Sequence, residues 1–175
     1  MISALLGDIT RLDFDIVVVG VNENYEPINE ISRTIHEKDK EQLQSICTKL
    51  GKGKLGQAKI TDIQTDRYKK IIHVVPPVYI DGTHRESELL KAAYWNSMVL
   101  AFDYLEQTKQ KRVTLAFSSL NVEGYRYPSE QFAKIAVETI RAINLRYQET
   151  KCIDVVFVCD HSEDYANIKK ELRKR

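Results

Sequence analysis

The chain lacks most of what marks the specialised protein classes. Its 175 residues hold three cysteines, Cys47, Cys152 and Cys159, with no CxxC spacing. That excludes a disulfide framework and points to a reducing, cytoplasmic setting. Cys152 and Cys159 sit in or beside an apolar run, where small buried thiols are expected. No run is long enough to span a bilayer, and the N-terminus shows no signal-peptide pattern. Neither sign of charge dominates: 26 basic residues face 25 acidic ones, a net charge of +1. That balance offers no electrostatic attraction for nucleic acid or a membrane surface. The four histidines, His36, His73, His84 and His161, show no ligand spacing, so no metal is called for. GxSxG, Walker A and HExxH patterns are missing. The GxGxxG match at Gly51–Gly56 follows a helical segment and precedes a strand, the reverse of dinucleotide-binding order, and reads as a helix stop and turn.

What is present is ordinary globular material, 43% hydrophobic and 29% charged, which argues against disorder. The length suits one domain over 1–175 with no linker or repeat. Short, nearly continuous apolar runs at Ile16–Val19, Ile71–Val75, Val113–Phe117 and Ile153–Val158 read as strands covered on both faces. Between them, apolar residues recur at helical spacing around Leu43–Leu50, Leu90–Tyr104 and Phe132–Ile143, and a last helix carries Tyr165, Ile168 and Leu172. Pro128 opens the third of these helices and Ser162 reads as the N-cap of the last. The basic stretch Lys169–Arg175 reads as a solvated helix end. Alternating strands and helices imply a largely parallel sheet between helical layers.

Ligands of such sheets sit beyond the carboxyl ends of strands. Two polar loops qualify, one from Gly20 to about Ser32 and one from Ser118 to Tyr127. His73, inside an apolar strand, reads as a satisfied core histidine. Asp160 and His161 are discounted as a catalytic pair because neighbours at a strand end face apart.

Gly7-Asp-Ile-Thr10, then Leu12, Phe14–Val18 and Asn22, follow without a gap the opening of the macrodomain family, whose pattern runs GDIT, an apolar strand and NAAN. Gly56–Ala58, Ile71–Val75, Pro77–Tyr79, Tyr125–Pro128 and Phe157–Cys159 fall where the family has similar residues. The chain thus resembles macrodomains over nearly its whole length. The resemblance implies a three-layer α/β/α sandwich around a mixed, largely parallel sheet, and a cleft for ADP-ribose. It places Asp8 and the Ile9 amide at the adenine, Asn22 at the distal ribose, Tyr125 near ribose and phosphates, and Asp160 at the adenine face. Asn29, Glu30, Ile31 and Ser32 in the first loop, and Asn121, Val122, Glu123 and Gly124 in the second, complete the expected ligand-binding set. Taken alone, Asp8 would read as a turn or cap residue and Asn22 as a loop-bonding asparagine.

The departures from the pattern matter as much. Pro27-Ile-Asn-Glu30 replaces the family's glycine run, so side chains crowd a loop that should approach phosphate. Ser32 stands where hydrolytic members have an acid and cannot be a general base unaided. Val19 replaces the first Asn of NAAN. Glu123 and Arg126 replace glycines of the second loop. Glu30 and Glu123 would flank a pyrophosphate and disfavour a bare anion unless Arg33 or Arg126 compensates. The leading expectation is therefore a sensor of ADP-ribose or a modified ADP-ribose, fused to or assembled with an effector. No catalytic residue, cofactor or metal is assigned. The rival expectations are an ADP-ribosyl or O-acetyl-ADP-ribose hydrolase using Asn22, Glu30 and Glu123, and a ligand-free interaction scaffold.

Overall fold

The computed structural model describes residues 1–174 other than 39, 64 and 148–151; Arg175, at the end of the basic stretch, lies outside the described residues. Strand β2 (Ile16–Gly20) is buried at every position. A strand hidden on both faces must pair its backbone on both edges and be covered by helices above and below. Its neighbours are β4 (Lys70–Val74) and β5 (Arg112–Ser118), both parallel to it. β6 (Cys152–Cys159) lies beyond β5, and β1 (Ile2–Leu6) closes that side, again in parallel. β3 (Ala58–Asp62) pairs antiparallel with β4 on the opposite edge, giving the order β1-β6-β5-β2-β4-β3.

Alternate side chains of the strands enter two separate cores. Ile16 and Val18 face a layer formed by α3 (Glu86–Thr108), α4 (Ser129–Tyr147) and α5 (Ser162–Arg173). Val17 and Val19 face Ile9, Ile35 and Leu43, contributed by a short 3-10 helix (Ile9–Arg11), α1 (Glu30–Glu37) and α2 (Lys40–Leu50). The result is the expected three-layer α/β/α sandwich. Among the described residues no helix is long and apolar enough to cross a membrane.

All four expected strands and all four expected helices are present. Three elements carried too little signal to be bounded. The edge strands β1 and β3 are half exposed and lack a continuous apolar run. Helix α1 lies where a loop reaching Ser32 was expected, so Glu30, Ile31 and Ser32 belong to its first turn. Gly51, at φ 72°, ends α2 as expected. Two local expectations are corrected. His161, not Ser162, holds the N-cap of α5, because the backbone is still extended there, at φ −115° and ψ 137°. Cys152 is exposed, standing at the first position of β6 where the strand begins; Cys159, at its last, is buried. At the basic end, Lys170 pairs with Glu130 and Lys174 with Glu171.

His73 is fully buried in β4 and satisfied on both ring nitrogens. Its Nδ1 meets His36 Nε2 at 3.2 Å and its Nε2 meets Thr61 Oγ1 at 2.8 Å. Thr61 Oγ1 in turn donates to the Ile71 carbonyl at 3.5 Å, so His73 Nε2–H donates to the hydroxyl and both rings stay neutral. Burial holds His36 at a pKa of about 4. Burial, then the neighbouring His36, holds His73 at about 3. Unfolded histidines titrate near pH 6.5, so the unfolded chain binds more protons below that pH and stability falls as pH drops toward 4. Thermal melting should show this decline between about pH 6.5 and about pH 4.5, shallower in His73→Gln. Equal slopes in the two proteins would remove the pair from the acid response.

Candidate functional site

The chain leaves β2 toward α1 on one face of the sheet and leaves β5 toward α4 on the other. Loops that diverge in this way open a crevice at the carboxyl edge, the usual ligand position in such folds. Among the described residues, two of the cavities along this edge bring expected site residues together. The first, of about 520 Å³, is lined by Gly7, Asp8, Thr10 and Arg11 beyond β1, by Asn29, Glu30, Ile31 and Thr34 at the start of α1, and by Asp160 beyond β6. The β1 and β6 ends are tied together there by Gly7 N–H donating to the Cys159 carbonyl at 2.9 Å. The second, of about 530 Å³, is lined by Asn121–Gly124, Arg126, Tyr127, Ser129, His161, Glu163 and Asp164.

The first cavity brings together Asp8, Asn29, Glu30, Ile31 and Asp160, residues far apart in sequence. Asp8 caps the 3-10 helix: its Oδ1 accepts from Thr10 N at 2.9 Å and Thr10 Oγ1 at 2.7 Å. Its Oδ2 faces Arg11 Nε at 3.3 Å. The Thr10 hydroxyl holds its carboxyl below the ordinary value; burial opposes this, and the Thr10 amide with the Arg11 and Lys38 charges outweighs that opposition. Oδ2 keeps lone-pair capacity for a ligand donor. The Ile9 side chain is fully buried in the core, so only its backbone can meet a ligand. Among the described residues, Arg11 is the one cation lining this cavity, against the carboxylates of Asp8, Glu30 and Asp160.

Several expected ligand residues are engaged by the protein itself. Asn22 Nδ2 donates to Glu26 at 2.8 Å, while its Oδ1 accepts the Asn24 and Glu26 amides at 2.9 and 3.0 Å. Asn29 and Ser32 form a reciprocal capping box: Ser32 N donates to Asn29 Oδ1 at 2.8 Å and Asn29 N to Ser32 Oγ at 3.2 Å. Ser32 is 1% exposed. Asn121 Nδ2 reaches Asp164, which also accepts from Ser119 and Ser129. Tyr125 is half-buried, and its carbonyl accepts from Tyr79 N at 2.8 Å. Val122 is buried, and Glu123 and Gly124 are exposed. Glu30 and Glu123 line different cavities and do not face one another across a shared one.

Arg11, Thr10 and Thr34 were not anticipated. Thr34 could have been found from Ile31 and Ile35, spaced four apart behind Asn29, had α1 been recognised. Asp160 and His161 approach to 3.8 Å, contrary to the expectation that they face apart, because both lie past the end of β6, where strand alternation no longer holds. Asp81, His84 and Glu86 also gather, within 4.8 Å. Glu86 Oε1 already accepts the amides of Ile80, Asp81 and Gly82, and Oε2 that of His84. Burial opposes its charge, but these amides outweigh it and hold the carboxyl at about 2. The cluster ties down the loop that leads into α3.

A family model described as Macro domain matches residues 18–136. This chain belongs to the Macro domain family. A macro domain-containing protein of Chlorobaculum tepidum is 33% identical, the match covering 98% of this chain and 95% of that one. An O-acetyl-ADP-ribose deacetylase of Salmonella typhimurium is 31% identical over 98% of this chain and 93% of its own. A solved mutant macrodomain of Oceanobacillus iheyensis with ADPR superposes with a TM-score of 0.79 at 24% identity, covering 98% of this chain and 90% of that one. The macrodomain described here shares that fold.

Removing the Ser32 hydroxyl deletes half of a buried cap. Ser32→Ala should lower stability by about 1 kcal/mol, as cap losses do. Urea unfolding at neutral pH measures it, and an unchanged midpoint would show that the hydroxyl does not support α1.

Proposed function

We propose that this macrodomain binds ADP-ribose, or a derivative of it, by the adenosine end and does not cleave it. The observation that carries the reading is the convergence of Asp8, Asp160 and the first turn of α1 on one cavity of about 520 Å³. Asp8 Oδ2 suits the adenine amino group, and Asp160 lines the same space. The first amides of a helix have no partner within it and favour phosphate oxygens, so the diphosphate belongs beside Glu30 and Ile31. The Glu30 carboxylate stands in that turn and opposes a bare anion. A derivative carrying a donor or cationic group is therefore less disfavoured than plain ADP-ribose. Such a module serves as the sensor of a larger assembly, passing a nucleotide signal to an effector domain or partner.

The enzyme reading has one specific support, the name of the Salmonella relative, an O-acetyl-ADP-ribose deacetylase. Against it stand Ser32, engaged in the helix cap, and Asn22, whose amide is engaged within its own loop. Neither side chain is poised to activate water. Incubating concentrated protein with O-acetyl-ADP-ribose and with mono-ADP-ribosylated protein should release no product on chromatography. Turnover that disappears in Asn22→Ala would establish the hydrolase instead.

Binding is tested at Asp8. Asp8→Asn keeps an acceptor for the Thr10 amide and removes the charge, while Asp8→Ala removes both. Each should weaken ADP-ribose binding, Asp8→Ala by about 1.5–3 kcal/mol, the range for a hydrogen bond to a charged group. Isothermal calorimetry on folded variants reads this directly, and unchanged affinity would move the adenine site elsewhere.

A further inference from the structure

A nucleotide laid along this carboxyl edge starts at Asp8 and Asp160, beyond β1 and β6, passes the first turn of α1, and then meets the end of β2. That end is covered. Beyond Gly20 the chain doubles back: Val21 and Pro27 form an antiparallel bridge, and Asn22 N donates to the Glu26 carbonyl at 2.9 Å. Tyr25, at φ 60°, drops its ring between Val21 and Val75, where it is 2% exposed. This closed turn returns Ile28 over the end of β2. A Cβ on Gly20 would stand 2.4 Å from Ile28 Cδ1 and 3.1 Å from its Cγ1, with Pro76 Cγ at 3.6 Å. Ile28 thus lies directly on the bare Cα of Gly20, and a Cβ there would push the end of the Ile28 side chain aside. The closed turn holds it from one side, and the Asn29–Ser32 cap, which begins at the next residue, holds it from the other.

We infer that Ile28 is a plug that sets the length of nucleotide the site reads. The adenosine and diphosphate have room, but a sugar beyond the diphosphate finds no crevice above β2 while Ile28 rests on Gly20. This deepens the nucleotide reading proposed above and rests on it. The chemical class selected is an adenosine diphosphate whose terminal substituent lies outside the cleft in solvent, compatible with a large or conjugated group there. Ile28 lines neither cavity, so shortening it leaves Asp8, Asp160 and the first turn of α1 in place.

Calorimetry with two probes, ADP and ADP-ribose, tests the inference on wild type and Ile28→Ala. Wild type should bind the two within about twofold, and Ile28→Ala should gain about tenfold for ADP-ribose with ADP unchanged. Gly20→Ala reports on the contact without any ligand: it should lower the melting temperature of wild type and have little effect when Ile28 is already alanine. A wild-type protein that prefers ADP-ribose over ADP by about tenfold overturns the plug, as does Ile28→Ala moving both affinities together. If ADP still binds in either case, the nucleotide reading survives. If neither probe binds either protein, the nucleotide reading itself falls and takes the plug with it.

Discussion

The structure depends on the burial of β2. Ile16 to Gly20 are hidden on both faces, and a strand so placed can leave no backbone group unpaired. β4 and β5 must flank it, helices must cover both surfaces, and the loops must emerge at the sheet's ends. Because the chain leaves β2 toward one helical layer and β5 toward the other, the crevice follows from the packing. The cavity between Asp8 and Asp160, the covered end of β2 and the anchoring of α1 are all consequences of where that strand lies.

Around the crevice, polar side chains that resemble ligand contacts are largely bonded to their own protein. Asn22 closes its turn, Asn29 and Ser32 cap α1, and Asn121 joins a network with Asp164 that ties the second loop to α5. A side chain whose donors and acceptors are already satisfied gains less from a ligand than one held ready, because each new bond must replace an old one. Asp8 differs, with an oxygen shared only with an exposed arginine. The same engagement leaves the side chains of Asn22 and Ser32 bonded within their own loop and helix cap.

How much was legible beforehand follows from local signal strength. β2, β4, β5 and β6 read clearly because burial on both faces requires an uninterrupted apolar run. Helices α2 to α5 read clearly because each turns an apolar stripe to the sheet. β1 and β3, being edges, carry weaker patterns, and α1 is only eight residues long, with its start marked by a polar capping pair that looks like a loop. Overlooking α1 hid Thr34 from the candidate site and made Glu30 appear to be a loop residue facing Glu123.

The sequence by itself determined the layered architecture, the satisfied core histidine, the carboxyl-edge location of the candidate cleft and the family resemblance. These rest on the chemistry of runs of neighbouring residues, which periodicity and motif spacing record directly. Only the tertiary structure decided which candidates share a cavity, that Asp160 joins Asp8, that Asn22 and Ser32 are held in their own loops, and that Ile28 lies on Gly20. Those outcomes depend on the path of the turn between Val21 and Pro27 and on where strands distant in sequence end, and distances across the fold of that kind leave no trace in local composition.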